Sequence, residues 1–380
     1  MYTIFPEKGL INHGNWEAIK NVMLKALSGE DIVTAFLGGS ITMGSRSSAP
    51  ENCYASLVHK WWTQKFPNCN VTYINAGIGG TTSQFGVARV KKDVLSHNPD
   101  FVLCEFAVND EDTPFFMETY ESLVRVILSH ESAPALMLMN NVMYDTGKSA
   151  AMQHLKVATH YEIPMVSMET TIYSQVKSGI IPSCEITPDN LQPNDKGHKL
   201  VARVIIDALE KIYDSIGKDD TYMLCTQMNK LPMPITENAY EDSVCIKAYH
   251  ANEPKYSIKC DGFSVDTRPK EGYSDFFSEG FIGKNIGDSI SFAAKCTGIA
   301  IQYTKTIKKP APVAVAIIDD DKEHPIILDA NFEEDWGDCL YIETVGVHLQ
   351  NTVHKVKITI TESEKDDISP FYLLGVIVSQ

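Results

Sequence analysis

The sequence predicts two domains: an α/β domain whose parallel sheet is covered on both faces, then an all-β sandwich or jelly roll. Three observations carry this. The first 220 residues alternate short apolar runs with amphipathic helical patterns, which is how strands and their crossover helices read. Near residue 215 the texture changes to polar clusters with two prolines, as in a linker. Short alternating segments then recur between turn residues at fairly even spacing. A length of 380 residues also exceeds one ordinary domain. The expected boundaries are 1–220 for the first domain, 221–240 for the linker and 241–380 for the sandwich.

In chain order, the candidate parallel strands are 32–39, 71–77, 101–108, 135–142 and 163–168, five in all. Each is short and rich in residues that suit a buried parallel strand. Helical patterns cover 53–66, 82–97, 120–130 and 150–161. A last amphipathic helix follows Gly197, with Leu200, Val201, Val204, Ile205, Ala208, Leu209 and Ile212 on one stripe. In the second domain, segments such as "SISFAAKC", "GIAIQYTK", "VAVAIID" and "YLLGVIVSQ" read as strands.

Composition narrows the partners. The net charge of −16 repels nucleic acid and anionic membranes. No run reaches the roughly 18 apolar residues that span a bilayer. The first thirty residues lack a basic start followed by an apolar run, so no signal peptide is expected. Nine cysteines are scattered without a CxxC pair, which fits reduced thiols in a cytoplasmic protein better than zinc or disulfides. No metal and no cofactor are expected, and a homo-oligomer is left open.

Chemistry in an open parallel sheet collects at the carboxyl ends of the strands. There the chain carries "GGSIT" with Ser40, "NAGIGGTTSQFG" with Gly80, "EFAVND" with Asn109, and later "DNLQPNDKGH" with Asp189. Singly these are bland. A Ser after two glycines is usually a turn or N-cap, and an Asn after a strand usually satisfies its own loop. The Gly-rich loop lacks the Lys of a phosphate cradle. In this order, however, the four blocks resemble those of the SGNH (GDSL-like) hydrolase superfamily over roughly the first 220 residues. The resemblance implies a three-layer flavodoxin-like fold and serine ester hydrolysis. Ser40 would be the nucleophile, and Asp189 the acid that orients the base. The Ser40 amide, the Gly80 amide and the Asn109 side chain would form the oxyanion hole. Prepositioned donors of this kind are worth on the order of 3 kcal/mol each.

One residue departs from the pattern. The family's last block runs Asp-x-x-His-Pro, whereas this chain has Asp189-Asn-Leu-Gln192-Pro193. Glutamine cannot accept the Ser40 proton, and loss of a triad histidine costs on the order of a millionfold in turnover. Three readings stay open: a base lost by nature or by engineering, His198 serving instead, or a proton acceptor from elsewhere such as His154, His160 or a water held by Gln192 and Asp189. Spacing favours Gln192 over His198 as the side chain facing Ser40.

The phrasing of the blocks and the appended β domain look most like bacterial carbohydrate esterases. That resemblance implies removal of acetyl groups from plant-derived oligosaccharides, acetylated mannans included, with a β domain similar to carbohydrate-binding modules. Trp336, in the acidic stretch "NFEEDWGDCLY", offers a face on which sugar could stack at the rim of the site; packing into its own sandwich edge is the plainer role. Two alternatives stand beside the esterase: a non-catalytic sugar-ester binder, and a lipase acting on short acyl esters.

Overall fold

The computed structural model describes residues 2, 4–217, 231–268, 276–335, 337–364 and 369–380. The chain divides into two units, Met1–Asn238 and Ala239–Gln380. The first runs β1 (Leu10–Asn12), α1 (Glu17–Leu27), β2 (Ile32–Gly38), α2 (Ser40–Met43), α3 (Tyr54–Lys65), β3 (Val71–Gly77), α4 (Ser83–Asp93), β4 (Phe101–Glu105), α5 (Pro114–Leu128), β5 (Ala135–Asn140), α6 (Ala151–His160), β6 (Met165–Ser167), α7 (Ser174–Lys177), α8 (Ser183–Ile186) and α9 (Asp195–Asp214).

The sheet has the order β1-β6-β5-β4-β2-β3. All pairs are parallel except β1 with β6. The five parallel strands follow the 2-1-3-4-5 order of flavodoxin-like sheets, whose topological switch point lies between the first and third of them, here β2 and β4. Alternation along the strands builds both cores. Phe36, Phe101, Leu103, Met137 and Met139 pack with α1, α3 and α9. The intervening Ala35, Leu37, Val102, Cys104, Leu136 and Leu138 are equally buried, and a period of two sends them to the opposite face, where α4 packs on α5 and α5 on α6. Trp62 is fully buried against Phe66 and Phe101. Trp61 instead donates its indole N–H to Glu210 Oε1 at 2.7 Å.

Three sequence expectations need correction here. The sheet has a sixth, antiparallel strand: β1 is only three residues long and half-buried throughout, too short for any alternation to mark it. The strand expected over 101–108 stops at Glu105, because the buried Glu105 carboxylate accepts the Ala107 N–H at 3.1 Å and turns the chain. Residues 231–238, assigned to a linker, belong to the first unit. Their backbone satisfies a buried acid on α5. Glu121 Oε1 accepts the Ile235 N–H at 2.8 Å, and Oε2 accepts the Thr236 N–H at 2.9 Å. Arg125 donates to the Pro232 carbonyl at 2.7 Å.

The second unit is all β: β7 (Val244–Ile246), β8 (Lys259–Asp261), β9 (Ser264–Val265), β10 (Phe281–Gly283), β11 (Ser289–Cys296), β12 (Gly298–Lys305), β13 (Val313–Ile318), β14 (Ile326–Asp329), β15 (Cys339–Gly346), β16 (Thr352–Glu362) and β17 (Phe371–Ser379). One sheet orders β15-β12-β17-β10-β9, with β7 also on β17; the other orders β14-β13-β16-β11-β8. Inward residues of both, such as Ile301, Tyr303, Phe371 and Leu373 on one side and Phe292, Ala314, Val356 and Ile358 on the other, share one core, as two packed sheets require. Cys339–Gly346, which the sequence reading left outside its strands, pairs along β12. Trp336 lies outside the described residues.

Glu121 is fully buried and also accepts from the Tyr161 hydroxyl at 2.6 Å. Glu121→Ala is expected to lower the stability of the first unit by about 2–4 kcal/mol, because several buried donors lose their acceptor together. Urea unfolding followed by tryptophan fluorescence measures this; a loss below about 0.5 kcal/mol would show that the 231–238 segment docks without the carboxylate.

Candidate active site

β2 delivers Gly38, Gly39 and Ser40 to the carboxyl edge of the sheet at the switch point, and Ser40 opens α2. Position in the first turn leaves its amide without an intrahelical acceptor. The neighbouring strands leave no space for side chains around this turn. A Cβ on Gly39 would lie 2.5 Å from Asn109 Oδ1, and one on Gly77 would collide with the Met43 backbone nitrogen. A Cβ on Gly79 would lie 3.8 Å from Ser40 Cβ. The loops after β2, β3 and β4 thus meet around Ser40, which is 6% exposed.

Gly80 follows with φ of 69°, a left-handed conformation that glycine adopts without strain. No protein acceptor takes its N–H among the described residues. Asn109 sits in the turn after β4, with Oδ1 buried, facing Gly39 and lacking a hydrogen-bond partner. Its side-chain nitrogen, Nδ2, also meets no protein acceptor among the described residues. Glu105 sits beneath this turn; burial pushes its carboxyl up to about 8, against the amides of Ala107, Asn141 and Val108.

The remaining loop runs from Thr187 to Pro193. Asn194 caps α9 by accepting the Lys196 and Gly197 N–H groups at 2.9 and 3.2 Å, which fixes where the loop ends. Asp189 Oδ1 accepts from the Gln192 N–H at 2.7 Å, the Leu191 N–H at 3.1 Å and the Thr187 hydroxyl at 3.1 Å. Oδ2 faces Arg46 Nε at 3.4 Å. Burial works against the charged carboxylate, but those amides, the hydroxyl and Arg46 outweigh it and hold Asp189 below the usual range. Gln192 Nε2 donates to Ser40 Oγ at 3.3 Å. The structure therefore brings Ser40, Gly79, Asn109 and Gln192 together, with Gly80 next in the chain, and ties Asp189 to the backbone of position 192.

His198 has other partners. It is fully buried on α9. Nδ1 accepts the Tyr54 N–H at 3.2 Å, so the proton sits on Nε2, which points at the Ser45 carbonyl 3.5 Å away. Neither ring nitrogen is open toward Ser40, and the expectation that His198 replaces the base has no support in this geometry. Burial pushes its imidazole down to about 4, with Ser45 and Asp195 opposing. His154, also fully buried, engages Asp110 Oδ2 at 3.1 Å and Asn140 Oδ1 at 3.3 Å. His160 meets the Met233 carbonyl at 2.7 Å. Sequence reasoning missed Arg46, which has a left-handed backbone with φ of 66° and lies 143 residues from its acid; no local pattern marks it. Thr187 stands two residues before Asp189 and could have been found as a loop-bracing hydroxyl. An apolar groove on α3 and α9, lined by Tyr2, Leu57, Leu200, Arg203 and Ile206, includes none of the candidate residues.

Residues 36–200 match the GDSL-like Lipase/Acylhydrolase family. Over 100% of its length the chain is 47% identical to a two-domain esterase active on acetylated mannans, covering 99% of that chain at a TM-score of 0.94. A crystal structure of a two-domain esterase of this description with mannopentaose matches at 46% identity and a TM-score of 0.93, with 100% and 99% of the two chains covered. Thioesterase 1/protease 1/lysophospholipase L1 of Escherichia coli (strain K12) is 31% identical over 137 residues, 34% of this chain and 63% of that protein, so the chain spans less than two thirds of this relative's length.

The pH dependence of folding reports on His198. Its pKa is about 4 in the folded protein and near 6.5 when unfolded, so the native state binds fewer protons. The contribution of His198 to stability is fully present above about pH 6.5 and is lost as pH drops toward 4, by roughly 3 kcal/mol in all, while Glu105, pushed up to about 8, contributes with the opposite sign over the same range. His198→Asn, which keeps an acceptor for the Tyr54 N–H, is expected to be more stable at pH 4.5 relative to pH 7 than the parent by roughly 2–3 kcal/mol in urea unfolding; an unchanged difference between the two pH values would show that His198 does not contribute.

Proposed function

We propose that this chain, which belongs to the GDSL-like Lipase/Acylhydrolase family, is a serine ester hydrolase that removes O-acetyl groups from mannan-like oligosaccharides at a rate limited by its missing base. One observation carries the reading: the Ser40 hydroxyl lies at the switch point, with the Gly79–Gly80 loop and Asn109 packed around it. The full-length likeness to an esterase active on acetylated mannans supports the substrate class.

In this reading Ser40 Oγ attacks the acetyl carbonyl. Charge develops on the carbonyl oxygen, and the amides of Ser40 and Gly80 with the Asn109 side chain receive it. The sugar hydroxyl departs with a proton, leaving an acetyl-serine that water hydrolyses. Each half-reaction needs a group to take and return a proton, and the Gln192 carboxamide does neither near neutrality. Oxyanion stabilisation and binding remain, worth roughly 10³–10⁴ over water. We read the second unit as a jelly roll of the carbohydrate-binding-module kind, supported by its two antiparallel sheets.

The Gln192 contact favours a second reading. An amide N–H donated to Ser40 Oγ occupies a lone pair that a nucleophile would use, as suits a protein that holds sugar esters without cleaving them. Turnover of p-nitrophenyl acetate separates the two. Gln192→His is expected to raise it at least about a thousandfold, and Ser40→Ala in that background to abolish the gain. Unchanged turnover, together with measurable binding of acetylated mannooligosaccharides, would select the binder.

A further inference from the structure

Arg89 lies on α4, two turns into the helix that follows the Gly79–Gly80 loop, and is 4% exposed. Its guanidinium spans two strands. Nη1 donates to the Ala76 carbonyl at 2.8 Å, and Nη2 donates to the Gly38 carbonyl at 3.1 Å. Gly38 ends β2, two residues before Ser40, and Ala76 is the penultimate residue of β3, four before Gly80. Asp93 Oδ2 meets Nη1 at 3.1 Å, the Phe85 ring lies 5.5 Å from the guanidinium carbon, and Nε has no partner. Burying a guanidinium with one half-exposed carboxylate and an unsatisfied N–H is unfavourable. Burial indeed pushes its pKa below the ordinary arginine value, against Asp93.

A helix needs no such group in order to pack, since a methionine would fill this space. What an apolar side chain lacks is a rigid, planar fork that reaches two carbonyls at once. The two carbonyls belong to the strands that carry Ser40 and Gly80. The Ile78 N–H also donates to Gly38 O, at 3.0 Å, so the β2–β3 junction is closed from the main chain and from the arginine together.

We infer that Arg89 is a positioning residue for the ester site: by bridging the Gly38 and Ala76 carbonyls it sets the spacing between the Ser40 amide and the Gly80 amide, the two backbone donors to the oxyanion. This rests on the serine-hydrolase reading above. Arg89 touches no substrate and moves no proton. It acts through the separation of two donors, and a misplacement near 1 Å at such a site costs on the order of a hundredfold.

The test uses two readouts. Phenylboronic acid forms a tetrahedral Ser40 adduct whose oxygen sits where the oxyanion would, so its affinity reports the donors without needing a base. Turnover of p-nitrophenyl acetate in the Gln192→His background supplies kcat and KM. Arg89→Met is expected to weaken boronate binding at least tenfold and to lower kcat at least tenfold, with KM changed less than threefold. Arg89→Lys keeps the charge but reaches one carbonyl, and is expected to share most of that defect. Full activity in Arg89→Lys would show that charge, not the bridge, matters, and would overturn the proposal. So would boronate affinity and kcat within twofold of the parent in a folded Arg89→Met. If both variants fail to fold, Asp93→Asn, which loosens the guanidinium without deleting it, is expected to lower kcat two- to fivefold at unchanged KM, and no change there overturns the proposal. Failure of the parent chain to bind boronate, with no hydrolysis after Gln192→His, would instead remove the serine-hydrolase reading and this inference with it.

Discussion

The turn that carries Ser40 is built in a space with no room for side chains, and the rest of the site is arranged around that restriction. Gly38 and Gly39 come off β2, which lies between two parallel neighbours, β4 and β3. A Cβ on Gly38 would lie 2.5 Å from the Glu105 carbonyl oxygen, and one on Gly39 would lie at the same distance from Asn109 Oδ1. Gly77 faces the backbone of α2 from the other side. Because the backbones approach this closely, Ser40, Gly79 and Asn109, from three separate segments, crowd around one turn. Interiors packed at this density transmit small displacements rather than absorb them, so the position of each of these residues depends on the strand below it.

Charge placement follows from the same crowding. Glu105 lies directly under the Asn109 turn, where burial favours its neutral form, yet its acceptor capacity is what turns the chain. Asp110, the next residue after Asn109, accepts the Ser83 N–H at 2.8 Å and so joins the β4 turn to the start of α4. Arg89 joins β2 to β3. The ends of β2 and β3 are thus linked to each other, and the β4 turn to α4, by buried ionisable side chains. Such groups are unfavourable to bury unless hydrogen-bonded, and their hydrogen bonds here go to backbone groups whose positions matter.

Asp189 shows what holds the last loop in place. Its carboxylate accepts the backbone N–H of position 192 and holds a charge. In a histidine-containing site one oxygen would orient the ring nitrogen. Here Oδ1 is taken up by the loop itself and Oδ2 faces Arg46. The side chain at 192 nonetheless reaches Ser40. The loop geometry and the chemistry of the residue it presents are therefore separable, because main-chain hydrogen bonds fix the first and only the side chain sets the second.

The sequence by itself determined the elements that rest on local pattern. Short apolar-rich runs marked β2 to β6, the 3.6-residue stripe marked α9, and the four short blocks marked Ser40, Gly80, Asn109 and Asp189 beyond the strand ends. It also established that Gln192 cannot titrate, since that depends on the side chain alone. The tertiary structure decided what depends on distant partners. β1 is too short to carry a periodicity, and the 231–238 segment reads as a linker until Glu121 is seen to bind its backbone. His198 looked like a spare base at the head of a helix. Burial beside Tyr54 and Ser45 gives both of its nitrogens other partners. Arg46 and Arg89 act on carboxylate and carbonyl groups brought to them by the fold, 143 residues away in one case and 51 in the other. Hydrogen bonds of that reach leave no trace in local spacing, because sheet order and helix packing set them rather than the residues next to them in the chain.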